Sequence, residues 1–131
     1  MRRPASGIAT DGTHSTKERL TRFRAVDLSS GRELFCESTG NWTNNVGEFL
    51  GIVVAVKYII EHPGTPRVIY SDSKTAITWY RSRRTASARY CPALLKAEIF
   101  LKVMDEKIRD IRLEYWDNLL WGENPADFGN K

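Results

Sequence analysis

The first third of the chain contains three stretches with strand character: a short extended one, one in which polar and hydrophobic residues alternate loosely, and a third that returns after a turn. The predicted strands are 6–10, 21–28 and 33–38. Asp11-Gly12 follows the first strand and is a turn signal, so we expect it to close that strand, with the polar stretch 13–19 as a loop. Ser29-Ser30-Gly31 separates the other two strands and predicts a hairpin between them.

The stretch 49–60 is apolar nearly all round. Its β-branched residues would also suit a buried strand, but its length favours a helix. Asn45 can serve as the N-cap, with Glu48 three residues later as its capping-box partner, and Pro63 ends the helix. A helix this apolar must lie broadly against a sheet.

The second half of the chain alternates between predicted helices and strands. These elements are a strand at 67–71, a helix at 73–84, a basic connector at 85–90, a helix from Pro92 to Ile108, a strand at 110–116, an aromatic loop at 117–122 and a short helix capped by Asn124. The element order is therefore β-β-β-α-β-α-α-β-α. A three-stranded meander joined to parallel crossovers predicts an α/β fold, with helices packed on a mixed sheet.

The length of 131 residues and the hydrophobic content of 41% fit one soluble domain spanning residues 1–131. No stretch approaches the roughly 18 consecutive apolar residues of a membrane-spanning helix. The first residues lack the apolar run of a secretory signal. We therefore expect a cytoplasmic monomer that does not associate with membranes.

Charge is distributed unevenly along the chain. Twenty Lys and Arg against 16 Asp and Glu give a net charge of +4. Four arginines fall within nine residues that contain no acid, namely Arg81, Arg83, Arg84 and Arg89. From residue 113 onward the balance reverses, with Glu114, Asp117, Glu123 and Asp127 against Lys131 alone. A basic run and an acidic end in one small protein suggest a phosphate track beside a cation site.

Four acids that are distant in the sequence occupy comparable places in the predicted elements. Asp11 and Asp72 stand at strand ends, whereas Glu48 and Asp127 stand in the first turn of a helix. Each has a simpler explanation on its own: a turn for Asp11, a capping box for Glu48, a helix cap for Asp72. Asp127 would suit the positive end of its helix. Carboxylates brought together repel one another unless cations lie between them, so the set as a whole predicts a site for hard divalent ions.

The segments around these acids resemble those of a known family. They are Thr10-Asp11-Gly12, Thr43-Asn-Asn-Val-Gly-Glu48, Ser71-Asp72-Ser73 and Gly122-Glu-Asn-Pro-Ala-Asp127. In this order they are similar to the signature segments of ribonuclease H type 1, and most similar to its compact bacterial form. The resemblance covers nearly the whole chain. It implies a ribonuclease H-like fold with a five-stranded mixed sheet in the order 3-2-1-4-5, in which strand 2 is antiparallel to its neighbours.

The resemblance also implies an activity, namely hydrolysis of the RNA strand of an RNA–DNA hybrid to leave 5′-phosphate and 3′-hydroxyl ends. Two Mg²⁺ ions, for which Mn²⁺ can substitute, would clamp the reacting phosphate. Asp11 would bridge the ions, and Asp127 would help to hold the ion that activates water. Glu48 and Asp72 would hold the ion that faces the leaving oxygen.

Substrate contacts follow from the same resemblance. The 2′-hydroxyl distinguishes RNA from DNA in the minor groove. The resemblance places six residues near this groove: Gly12, Thr13, Asn44, Asn45, Glu48 and Ser73. Thr43 would contact a DNA phosphate, and Arg81, Arg83, Arg84 and Arg89 would form a shortened basic protrusion. Many relatives carry a His in the loop before the last acid, but residues 117–126 contain none. We expect Glu123 or Asp117 to assist weakly in its place, and we expect the helix after Asn124 to be short.

Two other functions use the same residues. A junction resolvase or transposase core has a similar scaffold, but such enzymes usually need large insertions or further domains. A non-catalytic hybrid-binding module would have no reason to keep four mutually repelling acids. The hybrid ribonuclease therefore remains the preferred hypothesis.

Overall fold

A five-stranded mixed sheet in the order β3-β2-β1-β4-β5 forms the centre of the structure, a computed structural model that describes residues 2–128. The strands are β1 (Ile8–Ser15), β2 (Leu20–Asp27), β3 (Glu33–Thr39), β4 (Val68–Ser71) and β5 (Arg112–Tyr115). Strand β2 is antiparallel to β1 and β3, whereas β1, β4 and β5 are mutually parallel. The predicted α/β class, strand order and direction are confirmed.

Strand β1 is longer than predicted. Its pairing with β2 continues without interruption from Ile8 opposite Asp27 to Ser15 opposite Leu20. Asp11 therefore lies inside the strand, and the expected turn at this position is wrong. A continuous antiparallel ladder satisfies the backbone hydrogen-bonding groups here, and this outweighs the local turn preference of an Asp-Gly pair.

Five helices connect and follow the strands: α1 (Asn44–Glu61), α2 (Lys74–Ser82), α3 (Pro92–Val103), α4 (Asp105–Ile108) and α5 (Asn118–Trp121). The single helix expected from Pro92 to Ile108 is divided at Met104, whose ψ of 5° departs from helical geometry. The Met104 carbonyl accepts the N–H groups of Lys107 and Ile108, which starts α4. The aromatic loop expected after β5 contains α5.

Helix α1 packs broadly against the sheet, as its composition predicts. Phe49, Ile52 and Val56 are fully buried, and they join Ile8 of β1 and Ile69 of β4 in one hydrophobic cluster. Full burial of side chains of this size contributes about 1.5–3 kcal/mol each. This packing fixes the N-terminal end of α1 against β1 and β2.

The helices are too short or too polar for insertion across a lipid bilayer. Within residues 2–128, none has the length and apolarity of a membrane-spanning segment.

Candidate metal centre

Three carboxylates from different elements converge at one edge of the sheet. Asp11 lies in β1, Glu48 in α1, and Asp72 directly after β4. One carboxylate oxygen from each residue lies within 4.8 Å of the others. Asp11 and Glu48 are 5% and 8% exposed, whereas Asp72 is half-buried at the mouth of the site.

The sheet positions two of the three acids. Strands β1 and β4 are parallel neighbours, and Thr10 pairs with Ser71. Each of these residues is followed directly by an acid, so the ladder places Asp11 beside Asp72. Two carboxylates separated by 61 positions in the chain are thus brought together by backbone pairing alone.

Two glycines allow α1 to bring the third acid close. A Cβ atom on Gly12 would overlap the backbone of Gly47 and Glu48. A Cβ atom on Gly47 would lie 2.8 Å from the Arg22 carbonyl oxygen. Because neither position has a side chain, the helix approaches β1 so closely that the Gly12 N–H donates a hydrogen bond to Glu48 Oε1.

The simpler explanations for Glu48 and Asp72 are wrong. Thr43 is the N-cap of α1, and its hydroxyl accepts a hydrogen bond from the Val46 N–H at 3.2 Å. Asn45, the expected cap, therefore lies inside the helix, and Glu48 is its fifth residue. Ser73, rather than Asp72, caps α2 by accepting from the Ala76 N–H at 3.1 Å.

Burial and crowding raise the pKa of Glu48 from 4.5 to about 10. Desolvation is the largest cause, followed by the hydrogen bond and charge of Asp11 and then the charge of Asp72. The Gly12 N–H opposes the shift. A cation among these oxygens would reverse the penalty, and carboxylate oxygens are hard donors. The group is therefore compatible with divalent metal binding.

Asp127 lies at the same cleft but outside the three-carboxylate group. It lines a cleft of about 360 Å³ together with Asp11, Glu48 and Asp72. Asn124 was predicted to cap a helix, but here it closes a turn: its Oδ1 accepts from the Ala126 N–H at 2.8 Å. Up to Phe128 the chain forms a turn rather than a helix, and the rest of the predicted helix lies outside the described residues.

Two residues that the sequence analysis missed hold this edge together. Asn118 of α5 donates from Nδ2 to Asp72 Oδ2 at 3.0 Å. Arg24 of β2 donates to the backbone carbonyl of Asp127 at 3.3 Å. Asn118 falls in a segment that was predicted to be a loop, and nothing in its sequence context indicates the contact. Arg24 lies opposite Asp11 in the register of β1 and β2, which a correct β1 prediction would have indicated.

The predicted nucleic-acid contacts fall into two groups, one at the cleft and one away from it. The residues that line the cleft with the acids are Gly12, Thr13, Asn44, Asn45 and Ser73. Thr43 is exposed at the start of α1 beside them. Glu123 is exposed after α5, whereas Asp117 caps α5 by accepting from the Leu119 and Leu120 N–H groups at 3.0 Å.

The four arginines lie away from the lining of this cleft, and three of them have structural partners. Arg81 donates to the Leu113 carbonyl at 2.9 Å, and Arg83 donates to the Tyr80 carbonyl at 2.6 Å. Arg89 donates to the Asn41 carbonyl and lies over the Trp42 ring, 4.7 Å from its centroid. Arg84 is exposed directly before the connector. The contact of Arg89 places the basic connector beside the loop that leads to Thr43.

Solved structures with the same architecture include two ribonuclease H proteins. No protein-family model matches the sequence. The N-terminal RNase H domain of Rv2228c from Mycobacterium tuberculosis, solved as a fusion with maltose-binding protein, has a TM-score of 0.55 and 16% identity over 89% of this chain and 92% of that chain. LC11-RNase H1, isolated from compost by a metagenomic approach, has a TM-score of 0.55 and 17% identity over 83% of this chain and 80% of that chain. The chain therefore has the ribonuclease H fold.

Proposed function

We propose that this protein is a divalent-metal-dependent nuclease that hydrolyses the RNA strand of RNA–DNA hybrids, leaving 5′-phosphate and 3′-hydroxyl ends. The observation that carries the proposal is the convergence of Asp11, Glu48 and Asp72 within 4.8 Å at the edge of a ribonuclease H fold. Type 1 ribonuclease H is the most similar class of enzyme, because the four sequence segments that contain the acids resemble its signature segments.

The carboxylates would hold the metal, and Asp127 at the same cleft would complete the donor set. Bound Mg²⁺ ions supply Lewis-acid stabilisation of the charge that develops on a phosphodiester and lower the pKa of a water nucleophile. The contribution of the protein is rigidity: Asp11 is fixed in a paired strand, and the Gly12 N–H orients Glu48. Mn²⁺ prefers the same oxygen ligands and is expected to substitute.

Residues that line the cleft beside the acids can distinguish RNA from DNA. Asn44 and Asn45 are exposed in the first turn of α1, and their amides offer both donors and acceptors to a 2′-hydroxyl. Thr13 and Ser73 line the same cleft and add hydroxyl groups. A sugar seated there would present its backbone phosphate to the carboxylate-bound cations.

The basic connector and Arg84 directly before it supply the second strand of the substrate with a cationic surface. Arg84 and Arg89 are exposed, and Arg89 lies against Trp42 immediately before Thr43. Phosphates that follow the DNA strand from Thr43 would meet these guanidinium groups. Such contacts make binding dependent on salt.

The proposal is tested by incubating the protein with a labelled RNA–DNA hybrid and Mg²⁺, with duplex DNA, duplex RNA and branched DNA as parallel substrates. We expect cleavage of the RNA strand alone. Asp72→Asn should lower the rate by several orders of magnitude while leaving the unfolding transition unchanged, because it removes one metal ligand at the half-buried mouth of the site.

Glu106→Gln is the matched control, since Glu106 is exposed on α4. It should retain wild-type activity. Hybrid binding without product would contradict the proposal and favour a binding module. Cleavage of branched DNA but not of hybrids would favour a resolvase-like nuclease, and full activity of Asp72→Asn would exclude the assigned site.

A further inference from the structure

Asp72 is held by a neutral partner from a different part of the chain. Asn118, the first residue of α5, donates from its side-chain amide to Asp72 Oδ2 at 3.0 Å. An amide donor fixes the direction of a carboxylate without adding positive charge. The carboxylate therefore keeps its full negative charge for a cation, which an Arg or Lys partner would partly neutralise.

The other end of the same amide holds the segment that carries the fourth acid. The Asn124 N–H donates to Asn118 Oδ1 at 2.9 Å, so one side chain joins Asp72 to the turn before Asp127. Asn118 thus lies between two acids of the cleft and contacts both of the segments that present them.

Asn124 anchors this connection to the sheet. It is 2% exposed, and its Nδ2 donates to the Thr10 carbonyl at 2.9 Å. Its own carbonyl accepts the Asp127 N–H at 2.9 Å. A continuous set of hydrogen bonds therefore runs from Asp72 through Asn118 and Asn124 to the strand residue next to Asp11.

We propose that Asn118 is a positioning residue for the metal centre, which orients Asp72 and couples it to the segment that carries Asp127. The inference rests on the proposed function, because it assigns Asn118 a role in the same site. Some residues orient a metal ligand from outside the coordination shell. Removing such a residue lowers metal affinity or activity by about 10-fold to 100-fold. Asn118 is exposed, so its removal should affect the site more than the fold.

The test compares Asn118→Ala with Leu119→Ala, which changes the adjacent and fully exposed residue of the same helix. Calorimetric titration with Mg²⁺ or Mn²⁺ alone measures affinity without any substrate. We expect Asn118→Ala to bind roughly 10-fold more weakly and Leu119→Ala to bind like wild type. Hybrid cleavage by Asn118→Ala should be impaired at low Mg²⁺ and should recover as the Mg²⁺ concentration rises, a pattern that a general loss of fold would not give.

A second measurement keeps the inference testable if Asn118→Ala folds poorly. In the wild-type protein, the Asn118 side-chain amide resonances should shift on titration with Mg²⁺, since Asp72 would then share its oxygens with the metal. Unshifted resonances, or wild-type metal affinity in Asn118→Ala, would overturn the inference.

The two proposals can fail separately. Cleavage by wild type together with unchanged metal affinity in Asn118→Ala would overturn the role of Asn118 and leave the nuclease proposal standing. If Asn118→Ala weakens metal binding but the wild-type protein cleaves no hybrid, the role of Asn118 is supported and the nuclease proposal is rejected.

Discussion

Glu48 lies in the interior beside two other carboxylates, which is an unfavourable place for a charge without a cation. Its pKa is raised to about 10 by burial and by the charges of Asp11 and Asp72. In the absence of metal, the folded protein therefore retains a proton on this site that an unfolded chain would release near pH 4.5.

This shift predicts how the stability of the metal-free protein depends on pH. Since the folded state binds the extra proton, the free energy of unfolding should fall as the pH rises from 4.5 toward 10. Glu48→Gln cannot ionise and should remove this part of the dependence. Urea unfolding in EDTA between about pH 6 and pH 9, where unfolded carboxyl groups are already ionised, isolates the effect.

The matched control for this experiment is Glu106→Gln, which changes an exposed glutamate and should keep the wild-type slope. Parallel pH dependence in wild type and Glu48→Gln would contradict the raised pKa.

Mg²⁺ should bind more tightly as the pH rises, because the metal displaces a proton from the site.

Individual residues of the site differ in how far the sequence could predict them. Asp72 follows a short apolar strand directly, so its place at the edge of the sheet was predictable. Glu48 also fits a capping box with Asn45. The cap at Thr43 excludes that box, and the hydrogen bond from the Gly12 N–H shows that the Glu48 side chain faces the sheet. Asn118 contacts Asp72 from 46 positions away, a contact that depends on the tertiary fold.

At the scale of elements, α1 has two glycines on the face that meets the sheet, and they have different surroundings. A Cβ on Gly47 would lie 2.8 Å from a backbone carbonyl oxygen, which cannot easily move. A Cβ on Gly51 would have its nearest neighbour at 3.4 Å, in ordinary van der Waals contact. Gly47 is therefore required by close packing, whereas Gly51 has space for a methyl group.

This difference predicts opposite effects for two substitutions one helical turn apart. Gly47→Ala should lower the free energy of unfolding by about 1–3 kcal/mol, because it forces α1 away from β2. Gly51→Ala should raise it by about 0.5–1 kcal/mol, because alanine loses less conformational freedom in a helix. Urea unfolding measures both, and each variant serves as the control for the other. Equal stability of the two variants would show that α1 does not pack against the sheet as described.

Prediction of the elements failed where tertiary pairing outweighed local preference. The Asp-Gly pair at Asp11 predicts a turn, yet β2 offers a ladder partner to every residue up to Ser15. The apolar spacing from Leu94 to Ile108 is continuous, so the break at Met104 leaves no periodic signal. Strand order was predictable because the resemblance to a known family supplied it, whereas the alternating pattern alone indicated only a mixed sheet.

At the scale of the whole molecule, the carboxylates of the candidate metal centre and the four arginines between 81 and 89 occupy different regions. The carboxylates share one cleft, whose lining includes none of these arginines, and Arg89 contacts Asn41 and Trp42 just before α1. Arg83 serves the structure of the protein, since its backbone N–H caps α2 and its side chain donates to the Tyr80 carbonyl. Arg84 next to it is exposed and is the better candidate for a phosphate contact.

Neighbouring arginines should therefore respond differently to substitution. Arg84→Ala should weaken hybrid binding and reduce the slope of log affinity against log salt by about one, without changing stability. Arg83→Ala should instead lower the unfolding temperature, because it removes the side-chain hydrogen bond to the Tyr80 carbonyl and the ion pair with Asp105. Both substitutions are made in the inactive Asp72→Asn background. Hybrid binding at several salt concentrations measures the first effect, and thermal unfolding measures the second. An unchanged slope in Arg84→Ala would remove this residue from the nucleic-acid surface.

The parallel pairing of Thr10 with Ser71 has a consequence for how such a protein can diversify. The distance between the acids that follow these residues is set by main-chain geometry. Surface substitutions can therefore change which nucleic acid the protein binds without disturbing the carboxylates. Inserting a single residue within either strand would turn one acid toward the opposite side of the sheet. Lineages of this protein should therefore vary freely in their loops and keep the lengths of these two strands.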